Sequence, residues 1–435
     1  MRIAVIGSGI AGNGAAWALS DSHDVTVYER DRRPGGHSAT VDLDYDGTPI
    51  AVDTGFIVYN ELNYPDLTAL FRHLGVATRE TGMSFAVSAP AVNVEWSGRD
   101  LGTIFAQRRN LLRPSFVWML REILRFNRRA LADRAAGSLA GLSLGDYLDT
   151  GRFSTTMRTL YLEPMGAAIW STPPRELRDF PTELFVEFFD NHRLLHHRRP
   201  QWRTVAGGSR QYVERLVAPF AARMRLGADI ATIRRQPGRV EIIERGGRRD
   251  SFDQVVIATH SDQALRLLAD PTHAERRILG AISYRPNTVF LHRDPDLMPK
   301  RRPVWSSWNY MCPNVAVDAD GTCSVTYWMN ALQGIDRRRP LFVSLNPARP
   351  PRADLTFGAF DFDHPVFDAD ALATQGRLSM IQGVRNTWFC GAYHGRGFHE
   401  DGLRSGLAVA ERLGARIPWR RCAPSAGLAL SLAAD

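Results

Sequence analysis

A glycine-rich turn near the amino terminus restricts what this 435-residue chain can fold into. The apolar segment RIAVI precedes the turn GSGIAG, in which Gly7, Gly9 and Gly12 have G-x-G-x-x-G spacing. A helical stretch of small residues follows, and then a strand-like segment, DVTVYE, that ends in Glu29. This order is typical of a Rossmann-type unit, in which the helix N-terminus holds a diphosphate and the acid holds ribose hydroxyls. We therefore predict an α/β fold that binds a dinucleotide.

The next segment distinguishes a nicotinamide from a flavin cofactor. ERDRRPGGHS places Arg33 four residues after Glu29 and then the glycine pair Gly35 and Gly36. This resembles the E-x-x-x-R-x-G-G-R extension of the flavin amine oxidase and phytoene desaturase superfamily, with His37 where that superfamily usually has arginine. The resemblance implies FAD as the cofactor and a Rossmann-type FAD-binding domain of the amine-oxidase fold.

Three further segments are similar to the same superfamily. VDTGFIVYN (52–60) resembles the segment that passes the flavin ring, and WRTVAGGSRQYVERL (202–216) resembles the Gly-Gly turn that leads a helix back to the cofactor domain. Residues 226–265 predict a β-meander with glycines at its turns, followed by the strand QVVIAT.

The resemblance implies a set of cofactor contacts along the chain. They are Gly7, Gly9, Ile10, Ala11, Gly12, Glu29, Arg30, Arg33, Gly35, Gly36, His37, Ser38, Asp53, Thr54, Gly55, Ile230, Ala258, Thr259, Gly391, Ala392, Glu400, Asp401, Gly402 and Leu403.

The segment GAYHGRGFHEDGLRSG (391–406) looks at first like a metal site. Its histidines, His394 and His399, do not have the spacing of a familiar ligand pair, and the four cysteines lie far apart, so we expect no metal. In the superfamily this segment is a strand, a glycine and a helix whose N-terminus faces the flavin, although Ala392 stands where relatives commonly carry an acid. Tyr393, His394 and His399 are candidates for acid–base catalysis, and simple local hydrogen bonding is the alternative.

The flavin-like segments divide the chain into alternating parts. Residues 1–79, 201–269 and 381–417 are assigned to the FAD-binding domain. Residues 80–200 and 270–380 are assigned to an inserted α+β substrate domain, and residues 418–435 to a C-terminal tail.

A basic amphipathic stretch lies in the first insertion. Residues 108–131 contain seven arginines, Trp118 and the apolar residues Leu111, Phe116, Met119, Leu120, Ile123, Leu124 and Leu131. Such a helix suits an anionic membrane surface, and packing on the substrate domain is the alternative.

The net charge of +8 also favours an anionic partner, although no nucleic-acid-binding module is visible, so we expect no nucleic acid. Without an apolar run of spanning length or a leader-like start, we expect a cytoplasmic protein, peripheral on the inner membrane face if this stretch docks there.

The reaction is predicted from one departure from the superfamily. Amine oxidases place a lysine beside the flavin on a strand that ISYRPNTVFLHRD (282–294) resembles, but the only lysine here is Lys300, in the loop beyond it. This favours desaturation or isomerisation over amine oxidation.

The whole chain resembles a branch of predicted NAD/FAD-binding oxidoreductases encoded beside cyclopropane-fatty-acid synthase-like methyltransferases. That implies an unsaturated or methyl-branched fatty acyl substrate, free or within a phospholipid, and a lipid methyltransferase as a partner. An amine or polyprenoid oxidase, an isomerase, and a non-catalytic flavin-binding partner of the methyltransferase stay open as alternatives.

Overall fold

The computed structural model describes residues 1–170, 172–312 and 324–420. Residues 421–435 of the C-terminal tail, which include Cys422, lie outside the described residues, and so does Cys323. The strands are β1 (Arg2–Ile6), β2 (Asp24–Glu29), β3 (Thr40–Tyr45), β4 (Thr48–Asp53), β5 (Tyr59–Asn60), β6 (Thr78–Thr81), β7 (Phe85–Ala89), β8 (Val94–Ser97), β9 (Trp202–Val205), β10 (Met224–Leu226), β11 (Ile230–Gln236), β12 (Arg239–Glu244), β13 (Arg249–Phe252), β14 (Gln254–Ile257), β15 (Tyr284–His292), β16 (Trp308–Met311), β17 (Ser324–Trp328), β18 (Phe342–Leu345), β19 (Thr356–Pro365) and β20 (Thr387–Phe389).

The α-helices connect these strands and cover the sheets. They are α1 (Ile10–Leu19), α2 (Pro65–His73), α3 (Leu101–Ile104), α4 (Pro114–Ala135), α5 (Leu144–Thr150), α6 (Thr155–Met157), α7 (Glu163–Trp170), α8 (Thr182–Asn191), α9 (Arg210–Val217), α10 (Ser261–Leu267), α11 (His273–Leu279), α12 (Met329–Leu332), α13 (Ala369–Gln375) and α14 (His399–Arg412). None of the helices in the described parts is both long and apolar enough to cross a bilayer.

A parallel five-stranded sheet forms the first layer, in the order β10-β2-β1-β14-β20. Its central strands are almost continuously apolar because both faces of the sheet are covered. Ile3 and Val5 of β1 pack in the core shared with α1, α9 and α14. Ala4 and Ile6, which alternate with them, pack in the core shared with the meander β11–β13. The strands come only from the segments assigned to the FAD-binding domain.

A seven-stranded mixed sheet forms the second unit, in the order β19-β15-β18-β17-β16-β7-β8. All neighbours run antiparallel except β16 and β7, which pair in parallel with Trp308 opposite Phe85. Its strands come from residues 80–200 and 270–380, and helices α4–α8 from the first of these ranges share a core with part of it. The two units confirm the predicted fold class, a Rossmann-type domain with an inserted α+β domain.

The basic amphipathic stretch differs from its prediction. Helix α4 begins only at Pro114, and Arg108–Leu112 form a separate 3-10 turn before it. Proline fits the first helical position because it has no N–H to leave unpaired there, and it ends the preceding turn. Phe116 and Met119 are buried as expected, but Leu111 and Leu124, which the pattern placed on the apolar face, are exposed.

Candidate active site

The turn between β1 and α1 leaves open space in front of a helix N-terminus. Gly7 has φ +97°, and its N–H donates to the carbonyl of Tyr28 at 2.8 Å. A Cβ on Gly12 would lie 1.9 Å from the carbonyl oxygen of Gly7, so helix and strand can pack this closely only with glycine. A Cβ on Gly9 would meet no atom within 4 Å. The free N–H groups of α1 therefore face a gap that suits an anion.

Glu29 is held at the edge of this gap. Its carboxylate accepts the N–H of Ser8 at 2.8 Å, the hydroxyl of Ser8 at 2.6 Å and the N–H of Asp31 at 2.9 Å. The N–H of Ala228 donates to the Glu29 carbonyl at 2.8 Å, which brings the start of β11 at Ile230 to the same place. Arg30 is exposed and lies 3.8 Å from Asp31.

The loop that carries the glycine pair crosses the N-terminus of α1. The N–H of Gly35 donates to the carbonyl of Ser8 at 2.9 Å, and a Cβ on Gly36 would lie 3.1 Å from the Cα of Gly9. Arg33 holds this loop by donating to the carbonyls of Gly36 at 3.0 Å and Ser38 at 3.2 Å. Its guanidinium thus stabilises the loop itself.

Gly55 packs on the same loop from the other side. A Cβ there would lie 2.0 Å from the carbonyl oxygen of His37, so only glycine allows this approach. The neighbouring Thr54 N–H donates to the Ala39 carbonyl at 2.9 Å. Ala258 and Thr259 reach the turn from β14, with the Ala258 carbonyl 3.0 Å from the Cβ position of Gly7.

Beyond the loop lies a group of aromatic rings that we call the imidazole cluster, made of His37, His260, His364, Phe362 and Tyr284. The ring of His37 lies 6.2 Å from His260, 5.8 Å from His364 and 5.0 Å from Phe362, centroid to centroid. His260 stacks on Tyr284 at 4.3 Å. Loss of hydration, and secondarily the neighbouring imidazoles, lowers the pKa of His37 to about 3 and that of His364 to about 4. The cluster is therefore uncharged at neutral pH.

His399 faces the same loop from the start of α14. Its ring stacks on Phe56 at 3.9 Å, and its Nε2 lies 2.7 Å from the hydroxyl of Tyr212. The Tyr212 hydroxyl also makes a short hydrogen bond with Ser38. Burial lowers the pKa of His399 to about 3, so this imidazole is neutral at neutral pH.

Tyr393 and His394 contribute unpaired polar atoms. Among the described residues, the hydroxyl of Tyr393 and Nε2 of His394 are buried without a hydrogen-bond partner, as is Nδ1 of His260. Burial lowers the pKa of His394 to about 4. Such atoms are costly unless a ligand satisfies them, so these three can still bond to a bound molecule.

Three predicted cofactor carboxylates besides Glu29 are engaged within the protein. Glu400 accepts the N–H groups of Asp66 at 2.8 Å and Leu67 at 3.0 Å, so it caps α2. Asp401 accepts the N–H of Arg396 at 2.9 Å and of Phe398 at 3.1 Å, and thereby caps α14.

The third carboxylate, Asp53, ties β4 to the turn before α9. It accepts the N–H of Ser209 at 2.9 Å, the hydroxyl of Thr40 at 2.6 Å and the amide of Gln333 at 2.9 Å. These acids stabilise elements around the site through contacts with other protein groups.

The N-terminus of α14 meets that of α1. A Cβ on Gly402 would lie 2.9 Å from Ile10, a Cβ on Gly406 would lie 2.1 Å from the Ala11 carbonyl, and Leu403 lies against Gly14. Gly391, two residues after the end of β20, donates its N–H to the hydroxyl of Ser405 at 2.9 Å, and Ala392 begins the 3-10 turn that follows. Two helix N-termini therefore converge beside the loop of His37.

The structure thus brings the predicted residues together into two connected regions. Gly7, Gly9, Gly12, Glu29 and Gly36 surround the gap before α1, and the imidazole cluster lies beyond it. Six rings of the site were not predicted: Phe56, Tyr212, His260, Tyr284, Phe362 and His364. Phe56, Tyr212 and His260 lie within segments that resemble the superfamily, but no motif singles them out.

These residues fit FAD. The open space at Gly9 suits a diphosphate, and Glu29 lies at the adjoining edge, where its carboxylate is fixed by Ser8. The described residues hold no group of three or more His, Cys, Asp or Glu arranged for a metal ion. The fold and site define a dinucleotide-binding flavoprotein.

Comparisons with known proteins give the family. The model of flavin containing amine oxidoreductases matches residues 10–326, so the chain belongs to that family. It is an FAD-dependent oxidoreductase. No curated protein matches the chain.

Solved structures share the fold. A putrescine oxidase is 16% identical, with a TM-score of 0.68 over 95% of this chain and 99% of that one. Cyclohexylamine oxidase from Brevibacterium oxydans is 17% identical, with a TM-score of 0.66 over the same shares. The CLA-producing fatty acid isomerase from P. acnes is 16% identical, with a TM-score of 0.64 over 95% and 99%.

Proposed function

We propose that this oxidoreductase acts on a hydrophobic substrate without an ammonium group and desaturates an unsaturated or methyl-branched fatty acyl chain, free or carried by a phospholipid. The observation that carries the proposal is the neutral aromatic lining of the candidate site. His37, His364, His394 and His399 all have a pKa of about 3 or 4 because they are desolvated. The same desolvation penalises a substrate ammonium group, and an acyl chain carries no such charge.

The position of the single lysine also supports a substrate other than an amine. Lys300 is exposed in the loop after β15, where its backbone N–H donates to Glu95 at 2.8 Å. No lysine occurs in β15 itself. The predicted carboxylates that could pair with an amine, Asp53, Glu400 and Asp401, already accept hydrogen bonds from protein groups. A fatty acid isomerase of the same fold supports an acyl chain as a substrate that this architecture can hold.

The chain's own residues would then orient the substrate and take a proton. FAD, when bound, supplies a hydride acceptor. Desaturation would break two C–H bonds on adjacent carbons: one hydrogen would leave as a hydride, for which FAD would be the acceptor, the other would leave as a proton, and the remaining electron pair would form the C=C bond. Nε2 of His394, neutral and unpaired, is the base that we assign, and Tyr393 and His399 are the alternatives.

Lipid analysis tests this function. Acyl chains from cells that contain the protein should include species lighter by two hydrogens, and these should disappear with a His394→Phe variant that still binds flavin. Acyl chains of unchanged mass with a double bond at a new position would show that the reaction is isomerisation and not desaturation. Bleaching of the bound flavin by a primary amine without oxygen, with no change in any acyl chain, would replace it by amine oxidation.

A further inference from the structure

The turn before α4 and the exposed side of that helix form an apolar, basic surface. We call it the Leu–Arg surface, and its apolar residues are Val92, Leu111, Leu112, Trp118 and Leu124. Leu112 is 86% exposed, and Leu111 and Trp118 are each 54% exposed. Together with Leu101 they make up half of the large apolar side chains that are exposed in the described residues. Isolated exposed leucines are ordinary, but such a concentration marks an interaction site.

Well-defined contacts hold these side chains outward. Arg113 donates to the carbonyls of Val92 at 3.2 Å and Asn93 at 3.1 Å, and Arg109 donates to the Asn93 carbonyl at 2.9 Å. These bonds fasten the turn that carries Leu111 and Leu112 beside Val92. On the opposite side of α4, Phe116 and Met119 are fully buried, so the helix cannot rotate to hide Trp118.

The charge of this surface is almost entirely positive. Residues 101–135, through the end of α4, contain eight arginines and two acids, Glu122 and Asp133, and Asp133 lies 3.2 Å from Arg129. Glu122 is buried and accepts the N–H of Ser154 at 3.0 Å, so it adds no negative charge to the surface. Arg108, Arg121 and Arg128 are exposed, and none of them pairs with a carboxylate of the described residues. A second copy of this surface would be repelled, whereas an anionic partner would be attracted.

The combination of leucine, tryptophan and arginine identifies the partner chemically. We propose that the Leu–Arg surface docks the protein on an anionic lipid bilayer. Leu111, Leu112 and Trp118 enter the boundary between head groups and acyl chains, and Arg108, Arg121 and Arg128 lie against lipid phosphates. This docking goes beyond the proposed function, because it does not depend on which substrate the candidate site binds.

Vesicle sedimentation of the holoenzyme tests the proposal. Wild-type protein should bind phosphatidylcholine vesicles with about 30% phosphatidylglycerol and bind pure phosphatidylcholine far more weakly. Leu111→Ser with Leu112→Ser should weaken binding about tenfold or more, since two apolar side chains no longer leave water. Arg108→Gln with Arg121→Gln and Arg128→Gln should weaken it by a factor of about 100, at roughly fivefold for each arginine near the surface.

Matched variants keep the test specific. Leu226→Ser and Met380→Ser, exposed elsewhere, should bind like the wild type. All variants replace exposed side chains, and an unchanged flavin spectrum verifies their fold. The proposal is overturned if wild-type protein ignores anionic vesicles or if the serine variants bind equally well. It is also overturned if the wild type is a dimer that the serine variants convert to monomer without any vesicle binding.

Discussion

At the scale of single residues, Gly9 offers a direct test of where the cofactor diphosphate lies. Its φ of −67° is open to any residue, and a Cβ there meets no atom within 4 Å. Gly9→Val should therefore fold as the apoprotein with an unchanged melting temperature. Its side chain would fill the space of the diphosphate, so FAD affinity, titrated by flavin fluorescence, should fall about tenfold or more.

Gly82 provides the matched control for that substitution. Its Cβ position is equally open and lies away from the turn. Gly82→Val should keep both the melting temperature and the FAD affinity of the wild type. Full FAD affinity in Gly9→Val would place the diphosphate elsewhere.

Whether a residue of the site could be predicted depends on how far away its contact partners lie in the sequence. Gly7, Gly9, Gly12 and Glu29 could be predicted because they lie within one short unit of the chain, β1–α1–β2. Tyr212 and His399 are 187 positions apart. Their contact depends on how α9 and α14 pack against one sheet, which no local pattern encodes. The same limit applies to His364, which meets His37 only through the end of β19.

At the scale of elements, Glu400 links two helices. Tyr64, the residue before α2, does not cap the N-terminus of this helix with its side chain. Instead, Glu400 of α14 accepts the N–H groups of Asp66 and Leu67 in the first turn of α2. Glu400→Ala should lower the free energy of unfolding by about 1 kcal/mol, the usual cost of a lost helix cap. Urea denaturation measures this, and the FAD affinity should stay near that of the wild type.

Glu400→Gln separates capping from charge. It keeps one acceptor oxygen, so its stability should lie between those of the wild type and the alanine variant. A large loss of FAD affinity with little loss of stability would instead assign Glu400 to the cofactor.

Strands and helices with strong local signals were predicted well. The strands β1, β2 and β14 and the meander β11–β13 follow the apolar alternation and the glycine turns. The start of α4 was predicted too early because arginine and leucine continue the helical pattern through 108–113, whereas Pro114 fixes the actual beginning.

At the scale of the whole molecule, the seven-stranded sheet shows what local patterns leave out. Its strands β7 and β16 pair in parallel although more than 200 residues separate Phe85 from Trp308. Sequence indicated only an α+β insertion, because strand order and register depend on such distant pairings. The imidazole cluster has the same origin, since β15 and β19 bring Tyr284 and His364 to it.

Buried and half-buried histidines throughout the molecule predict how stability depends on pH. Burial lowers the pKa of His37 and His399 to about 3, and those of His192, His292, His364 and His394 to about 4. In the unfolded chain these groups titrate near about 6.5, so between pH of about 6.5 and 4 the unfolded state binds more protons. Stability should therefore fall as the pH is lowered through this window. Four carboxyls oppose the trend, because burial raises the pKa of Glu400 to about 7 and raises those of Asp53, Glu163 and Asp401, but they stand against six imidazoles.

His292 isolates this effect from the cofactor site. It lies fully buried in β15, where its Nε2 is 2.8 Å from the hydroxyl of Ser344. His292→Gln keeps a hydrogen-bonding side chain but cannot titrate. The slope of the unfolding free energy, measured with urea between pH of about 5.5 and 4, should decrease by up to about 1.4 kcal/mol per pH unit, the value for one proton. His197→Gln, exposed to water, is the control. Equal slopes for the wild type and His292→Gln would show that His292 is protonated in the folded protein, which its burial in the sheet opposes.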